Sequence, residues 1–141
     1  VRLETAPIIQ DGGAPYYHLA GFLSEEQTRS AFALADLVIS RAGATSIFEI
    51  AAAGKPSILI PLSNAAQDHQ KRNAYEYGRT GAAVIIEEDN LTPSVLYHEI
   101  ERLIADPARR AAMAEAAKSF ARLDAAEVIA RELLGLGLHE G

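Results

Sequence analysis

Residues 37–61 read LVISRAGATSIFEIAAAGKPSILIP, and this stretch decides the fold class. The apolar run at residues 37–39 predicts a short buried strand, and residues 45–53 have the pattern of a helix. The sequence GKP at residues 54–56 predicts the end of that helix. A second apolar run, residues 57–60, follows directly. A strand, a helix and another strand in this order predict a parallel βαβ unit.

The residues before this unit continue the alternation of strands and helices. Residues 18–22 are short and apolar and predict a first strand. Ser24 and Gln27 fit a capping box, which predicts a helix that runs to about Ala35.

The residues after this unit repeat the pattern once more. After Pro61 the sequence predicts a helix to about Tyr77, with either Asn64 or Asp68 as its N-cap, and then a strand at residues 82–86. The strands are continuous apolar runs, as expected of strands buried on both faces. We therefore predict an α/β fold, with a Rossmann-like parallel sheet that has helices on both faces.

Consecutive helices are predicted for the end of the chain. Thr92-Pro93 and Asp106-Pro107 each combine an N-cap residue with proline at the first helical position. Asp124 predicts the start of one last helix.

The composition limits the classes of function. A chain of 141 residues predicts one domain, which we place at residues 18–135, with residues 1–17 unassigned and residues 136–141 as a frayed tail. The net charge of −6 argues against nucleic-acid binding. The chain has no cysteine and no histidines at metal-ligand spacing, so we expect neither a metal nor a cofactor. No apolar run is long enough to cross a bilayer, and no signal peptide is visible. The sequence starts at Val1 rather than at methionine, which suggests a processed, trimmed or excised piece.

Parallel sheets bind ligands beyond the carboxyl ends of their strands, which selects the loops after Phe22, Ser40 and Pro61. The loop at residues 40–46, SRAGATS, combines small residues with the start of a helix. The free N–H groups and the dipole of a helix start attract an anion, and the Thr and Ser hydroxyls add hydrogen-bond donors. The loop has neither the dinucleotide-binding glycine pattern nor a Walker pattern.

Two charged residues near this loop each allow two interpretations. Arg41 adds positive charge for a ligand, or it pairs within the protein. Glu49 lies about one turn inside the helix, where its carboxylate suits two ribose hydroxyls or is stabilised by the helix dipole.

The other two loops contribute further candidates. Gln70 and Asn73 share one helix face and suit sugar hydroxyls, or they belong to a solvated polar helix start. The Phe22-Leu23 pair suits a flat base, although Phe22 is equally compatible with a core position. We interpret residues 87–89, EED, as a solvated turn.

Two stretches identify a protein family more specifically together than either does alone. They are SRAGATSIFEIAAAGKPSILIPL at residues 40–62 and QDHQKRNAYEYGRTGAAVII at residues 67–86. They resemble the C-terminal half of the MurG-type UDP-N-acetylglucosamine transferases of glycosyltransferase family 28. The resemblance extends over residues 20–134 and is poor over residues 1–17. It implies the C-terminal domain of a GT-B enzyme that moves GlcNAc from UDP-GlcNAc to lipid I, forming lipid II for peptidoglycan. Such an enzyme is cytoplasmic and peripheral on the inner face of the plasma membrane.

The resemblance also implies roles for individual residues. The backbone of Leu23 meets uracil beside Phe22, the start of the helix at residues 44–46 faces the diphosphate, Glu49 holds the ribose hydroxyls, and Gln70 with Asn73 nearby meets the GlcNAc. The full set of implied donor-site residues is Phe22, Leu23, Arg41, Gly43, Ala44, Thr45, Ser46, Ile47, Phe48, Glu49, Gln70 and Asn73.

The family's N-terminal domain, which contains the acceptor site, the proposed general base and the membrane-docking surface, has no counterpart in this sequence. The Gly-Gly-Ser turn that opens the family's donor domain is also missing. We interpret residues 1–17, which match the family poorly, as a remnant of the start of that domain. We expect the chain alone to bind UDP-GlcNAc weakly and to transfer nothing. Three alternatives stay open: the donor-binding subunit of a two-chain transferase, a GT-B relative such as an epimerase or a transferase with another acceptor, and an α/β domain without a nucleotide-sugar site.

Overall fold

The computed structural model describes residues 16–18, 20–64 and 68–137. Helices and strands alternate along this part of the chain until the last two helices, which follow each other directly. The elements are α1 (Glu25–Leu34), β1 (Val38–Ser40), α2 (Ala44–Ala52), β2 (Ser57–Leu59), α3 (Asp68–Arg79), β3 (Ala83–Ile85), a 3₁₀ helix (Glu88–Asn90), α4 (Pro93–Ile104) and α5 (Pro107–Gly137).

The three strands form one parallel sheet in the order β1-β2-β3. Adjacent residues of the central strand β2 point to opposite faces, and each face belongs to a different hydrophobic cluster. Leu59 packs in a cluster with residues of α2, α3 and α5, whereas Ile58 packs in a second cluster with residues of α4 and the first part of α5. The prediction of a Rossmann-like parallel sheet with helices on both faces is therefore confirmed.

Local sequence signals set most of the helix ends. The Ser24 hydroxyl accepts the N–H of Gln27, and the Gln27 side chain accepts the N–H of Ser24, so the predicted capping box is present. Thr92 caps α4 ahead of its proline, and the Asp106 carboxylate accepts the N–H of Arg109 at the start of α5. These caps confirm three predicted helix starts.

Gly54 ends α2 in the left-handed conformation, with φ of 63°. Side chains with a Cβ atom rarely adopt this conformation, which is why glycine stands here. The chain then reverses into β2, as the GKP sequence predicts.

The predicted strand at residues 18–22 is absent from the described residues of this segment, so that prediction is wrong for them. A strand needs a neighbouring strand for its backbone hydrogen bonds, and among the described residues β1 pairs only with β2. Within the described residues β1 is thus an edge strand, and Ile39 is 43% exposed, whereas the sequence predicts a strand buried on both faces.

The predicted helix start at Asp124 is also wrong, because α5 runs without a break from Pro107 to Gly137. Residues 120–134 contain neither glycine nor proline and are rich in alanine, leucine, arginine and glutamate. These residues have high helix propensity, which outweighs the weak N-cap preference of one aspartate. Among the described residues, no helix is both long and apolar enough to span a bilayer. Residues 1–15 and 138–141, which hold most of the unassigned segment and the tail, lie outside the described part of the chain.

Candidate functional site

Helix α2 begins at the carboxyl end of β1 without a side-chain cap. Its N-cap residue is Gly43, and no side chain among the described residues bonds to the N–H groups of its first turn. The first intrahelical bond runs from the N–H of Ile47 to the carbonyl of Gly43, at 3.0 Å. Ala44 and Thr45 are exposed, and the first turn contains no acidic residue. The N–H groups of residues 44–46 are therefore available to an anion.

Gly43 leaves open space at this helix start. Its φ of −65° is ordinary for any residue. A Cβ atom added to it would meet only the Oγ atom of Ser46, at 4.0 Å. Neither the backbone conformation nor the packing of the protein therefore requires glycine at this position. The space beside the free N–H groups is available to a ligand.

The two faces of α2 separate structural residues from candidate site residues. Ile47, Ile50 and Ala51 are buried in the core, while Thr45, Phe48, Glu49 and Ala52 lie on the exposed face. Ile47 was among the predicted site residues, but its side chain is only 4% exposed and packs in the core. Its side chain anchors the first turn of α2 to the core.

A groove of about 900 Å³ lies between α1 and α2. Four of the predicted residues line it, namely Phe22, Leu23, Phe48 and Glu49. Phe22 is fully exposed, at 101% of its reference area, so it is not the core residue that was considered as an alternative. An exposed aromatic ring at the mouth of a groove offers a stacking surface for a flat ring.

The charged residues of the groove differ in their contacts. Arg29 pairs with Glu25 at 3.0 Å, and the Nζ atom of Lys55 donates to the carbonyl of Ala33 at 3.2 Å. Glu49, in contrast, forms no ion pair with any residue that the structure describes. It also lies beyond the first turn of α2, where the effect of the helix dipole has largely faded. The dipole therefore accounts poorly for a carboxylate at this position.

The predicted pair Gln70 and Asn73 lies on α3, apart from the residues that line the groove. The Oε1 atom of Gln70 accepts the N–H of Leu62 at 3.3 Å, which ties α3 to the loop after β2. Both side chains are half-buried. The amide NH₂ group of Gln70 keeps donors for a ligand, because its oxygen makes the contact with Leu62.

Arg41 pairs within the protein, which is one of the two interpretations of this residue. Its guanidinium lies 2.9 Å from a carboxylate oxygen of Glu88 and donates to the carbonyl of Ile60 at 3.3 Å. The second carboxylate oxygen of Glu88 accepts the N–H of Ser63 at 3.1 Å. This bond, followed by the Arg41 hydrogen bond, lowers the pKa of the Glu88 carboxyl below its ordinary value.

Glu87 also makes contacts within the protein. It accepts the Tyr75 hydroxyl and pairs with Lys71 at 3.3 Å, so it attaches α3 to the end of β3. The Tyr75 bond and then the Lys71 bond lower the pKa of Glu87, and the hydrogen bond to Glu87 raises the pKa of Tyr75. The interpretation of residues 87–89 as a solvated turn is therefore wrong for the two glutamates. The sequence signal for their position is that both glutamates directly follow an apolar strand, at the sheet edge where ligands bind.

The comparisons with known proteins agree with this architecture. The family model described as the glycosyltransferase family 28 C-terminal domain matches residues 10–129. The match includes residues 10–17, the end of the segment for which the sequence predicts no structural element. The chain is 51% identical over 104 residues to a protein of Geobacter metallireducens (strain ATCC 53774 / DSM 7210 / GS-15), covering 74% of this chain and 29% of that protein. It is 42% identical over 130 residues to a protein of Solidesulfovibrio magneticus (strain ATCC 700980 / DSM 13731 / RS-1), covering 92% of this chain and 35% of that protein.

Both relatives are named UDP-N-acetylglucosamine--N-acetylmuramyl-(pentapeptide) pyrophosphoryl-undecaprenol N-acetylglucosamine transferase. The crystal structure of MurG from Acinetobacter baumannii matches with a TM-score of 0.68 and 30% sequence identity, covering 82% of this chain and 34% of that chain. The chain thus spans about a third of the length of the relatives that it matches. Because the family model covers most of its residues, the chain belongs to glycosyltransferase family 28 and contains the C-terminal domain of that family.

Proposed function

We propose that this chain is the donor-binding domain of an enzyme that moves GlcNAc from UDP-GlcNAc to lipid I, forming lipid II in peptidoglycan synthesis. The names of the relatives supply this donor and acceptor. One observation carries the proposal: α2 starts without a cap beside Gly43, and the space next to its free N–H groups is open.

The donor is assigned to the site by the chemistry of each contact. The diphosphate binds at the N–H groups of residues 44–46, where the helix dipole and two hydroxyls add to the attraction. Uracil lies against Phe22 and the backbone of Leu23. The ribose hydroxyls bind the carboxylate of Glu49, and the GlcNAc meets Gln70 and Asn73. Ile47 supports this site from the core, and Arg41 supports it through its contacts with Glu88 and Ile60.

The reaction that we propose is an inverting displacement. The hydroxyl of the acceptor attacks the anomeric carbon, the bond from that carbon to the diphosphate breaks, and UDP leaves with the electron pair. The growing negative charge on the diphosphate is stabilised by the N–H groups at the start of α2. The general base, the lipid I site and the contact with the inner face of the plasma membrane belong to the part of the enzyme outside this chain.

The Gly43→Ala variant tests the proposed diphosphate site. The added methyl group meets no protein atom closer than 4.0 Å, and the backbone conformation suits alanine. We therefore expect the free energy of unfolding to change by less than about 1 kcal/mol, as is usual for an N-cap change between these residues. The methyl group would occupy the space beside the phosphates, and overlap of this kind costs about 1–3 kcal/mol. The affinity for UDP-GlcNAc should thus fall roughly tenfold.

The measurement is an NMR titration with UDP and UDP-GlcNAc, together with urea unfolding of both proteins. Gly21→Ala is the matched control, because a Cβ atom at Gly21 meets nothing within 4 Å and this glycine lies outside the start of α2. Unchanged affinity in Gly43→Ala would remove the diphosphate from this helix start. Absence of any uridine-nucleotide binding by the native chain would overturn the proposed function itself.

A further inference from the structure

The loops that follow the three strands are joined by one carboxylate. Strands β1, β2 and β3 lie side by side and parallel, so their carboxyl ends meet at one edge of the sheet. Glu88, after β3, contacts Arg41 of the loop after β1 and Ser63 of the loop after β2. We call Arg41, residues 60–63 and Glu88 the three-loop junction.

Each connection of the junction uses a different atom of the same two side chains. One oxygen of Glu88 receives the Arg41 guanidinium at 2.9 Å, and the other receives the N–H of Ser63 at 3.1 Å. A second nitrogen of Arg41 donates to the carbonyl of Ile60 at 3.3 Å. Ile60 and Ser63, two residues of the loop after β2, are therefore both held by this pair of side chains, and the Arg41 guanidinium is engaged by the protein although its side chain is 48% exposed.

The junction continues directly to Gln70. Leu62 lies between Ile60 and Ser63, and its N–H donates to the Oε1 atom of Gln70 at 3.3 Å. In this bond the oxygen of the Gln70 amide contacts the protein, and its NH₂ group stays available as a donor. The position of the Leu62 N–H therefore sets the orientation of a side chain that the proposed function assigns to the GlcNAc.

We propose that Glu88 is a positioning residue for the sugar of the donor: by fixing the loop after β2, it holds Gln70 in the orientation that binds GlcNAc. This inference rests on the proposed function and deepens it, because it separates recognition of the sugar from recognition of UDP. Glu88 acts through Leu62 and Gln70 and touches no substrate. Its removal should weaken the contribution of the sugar to binding and leave the contribution of UDP unchanged.

The test compares two dissociation constants, for UDP and for UDP-GlcNAc, in the native chain and in Glu88→Gln and Glu88→Ala. The glutamine keeps the size of the side chain and loses its charge, whereas the alanine loses every contact. We expect the ratio of the UDP constant to the UDP-GlcNAc constant to fall about fivefold in Glu88→Ala and less in Glu88→Gln, the size of effect that one or two hydrogen bonds produce. The affinity for UDP alone should stay within about twofold.

The matched control is Asp89→Asn. Asp89 is exposed, follows Glu88 in the same 3₁₀ helix and takes part in none of the contacts of the three-loop junction. Like Glu88→Gln, Asp89→Asn removes one negative charge from this 3₁₀ helix, so it reports any general electrostatic effect. The ratio of its dissociation constants for UDP and UDP-GlcNAc should equal the native ratio. A second measurement needs no ligand: the NMR signals of the Leu62 and Ser63 amides and of the Gln70 side-chain amide should shift in Glu88→Gln and stay in place in Asp89→Asn.

Each outcome decides the proposal. A native ratio in both Glu88 variants, with UDP-GlcNAc still bound, overturns the positioning role and leaves the proposed function intact. An equal loss for UDP and UDP-GlcNAc, or Glu88 variants that fail to fold, shows a role in overall stability and also overturns it. A native chain that binds neither ligand overturns the proposed function and this inference together.

Discussion

Replacement of Tyr77 by alanine is expected to lower the free energy of unfolding by about 3–5 kcal/mol, the usual cost of deleting a buried aromatic side chain. Tyr77 is the largest of the fully buried side chains in the described part of the protein. Its ring packs edge to face on Phe120, with 4.9 Å between ring centres and 78° between the planes. It therefore joins α3 to α5 in the centre of the larger hydrophobic cluster. Urea unfolding followed by circular dichroism measures the loss.

Tyr77→Phe is the control that separates the ring from its hydroxyl. Among the described residues, the Tyr77 hydroxyl is buried and has no hydrogen-bond partner. Because an unsatisfied buried hydroxyl costs about 1–3 kcal/mol, its removal should leave the protein as stable as the native chain or more stable. A loss in Tyr77→Phe as large as that in Tyr77→Ala would mean that the hydroxyl, rather than the ring, stabilises the core.

The native chain and Tyr77→Phe should also differ in how their stability depends on pH in the alkaline range. Burial raises the pKa of Tyr77 from 10.0 to about 12. The unfolded chain thus loses this proton first, near pH 10, while the folded chain retains it until about pH 12. Stability linked to this group is complete below pH 10 and falls as the pH rises toward 12, by roughly 3 kcal/mol for two pKa units. Tyr77→Phe should show a smaller loss over this range. Equal losses in both proteins would contradict the assignment.

Sequence patterns predicted the features of the fold that depend on neighbouring residues. The capping box at Ser24 and the left-handed turn at Gly54 follow from the chemistry of a few adjacent positions. The prediction at Asp124 failed in the same local way, because an N-cap residue marks a helix start only where the preceding residues do not already continue a helix. The strand predicted at residues 18–22 depends on a partner strand, and no local pattern supplies one.

In the candidate site, too, some features follow from the local sequence and others depend on the assembled fold. The uncapped start of α2 and the exposed position of Glu49 follow from the local sequence, once the carboxyl edge of the sheet is located. The pairing of Arg41 with Glu88, in contrast, joins residues 47 positions apart and requires the sheet to be assembled first. The sequence alone therefore allows two interpretations of Arg41 and does not identify Glu88 as its partner.

Glu49→Ala should weaken the binding of UDP-GlcNAc by about ten- to a hundredfold, since hydrogen bonds to a charged acceptor contribute about 1.5–3 kcal/mol. Glu49 is exposed on α2 and lines the same groove as Phe22 and Leu23, and it forms no ion pair among the described residues. A side chain with these surroundings contributes little to stability, so unfolding should be almost unchanged. Glu76→Ala is the matched control, because Glu76 is an exposed glutamate on α3 that likewise forms no ion pair among the described residues. Calorimetry or an NMR titration gives the affinities.

The role of Glu49 at the ribose is isolated by combining the variant with a modified ligand. Native chain and Glu49→Ala are each titrated with UDP and with 2′-deoxy-UDP, which lacks one of the two hydroxyls that the carboxylate is proposed to accept. If Glu49 binds the ribose, the variant should lose much less affinity for the deoxy ligand than for UDP, because one of the two bonds is already absent. Equal losses for the two ligands would mean that Glu49 acts on another part of the nucleotide, through its charge or through the shape of the groove. The exposed carboxylate of Glu49 would then bind a different group of the ligand, and the orientation of the donor along α2 would have to be assigned again.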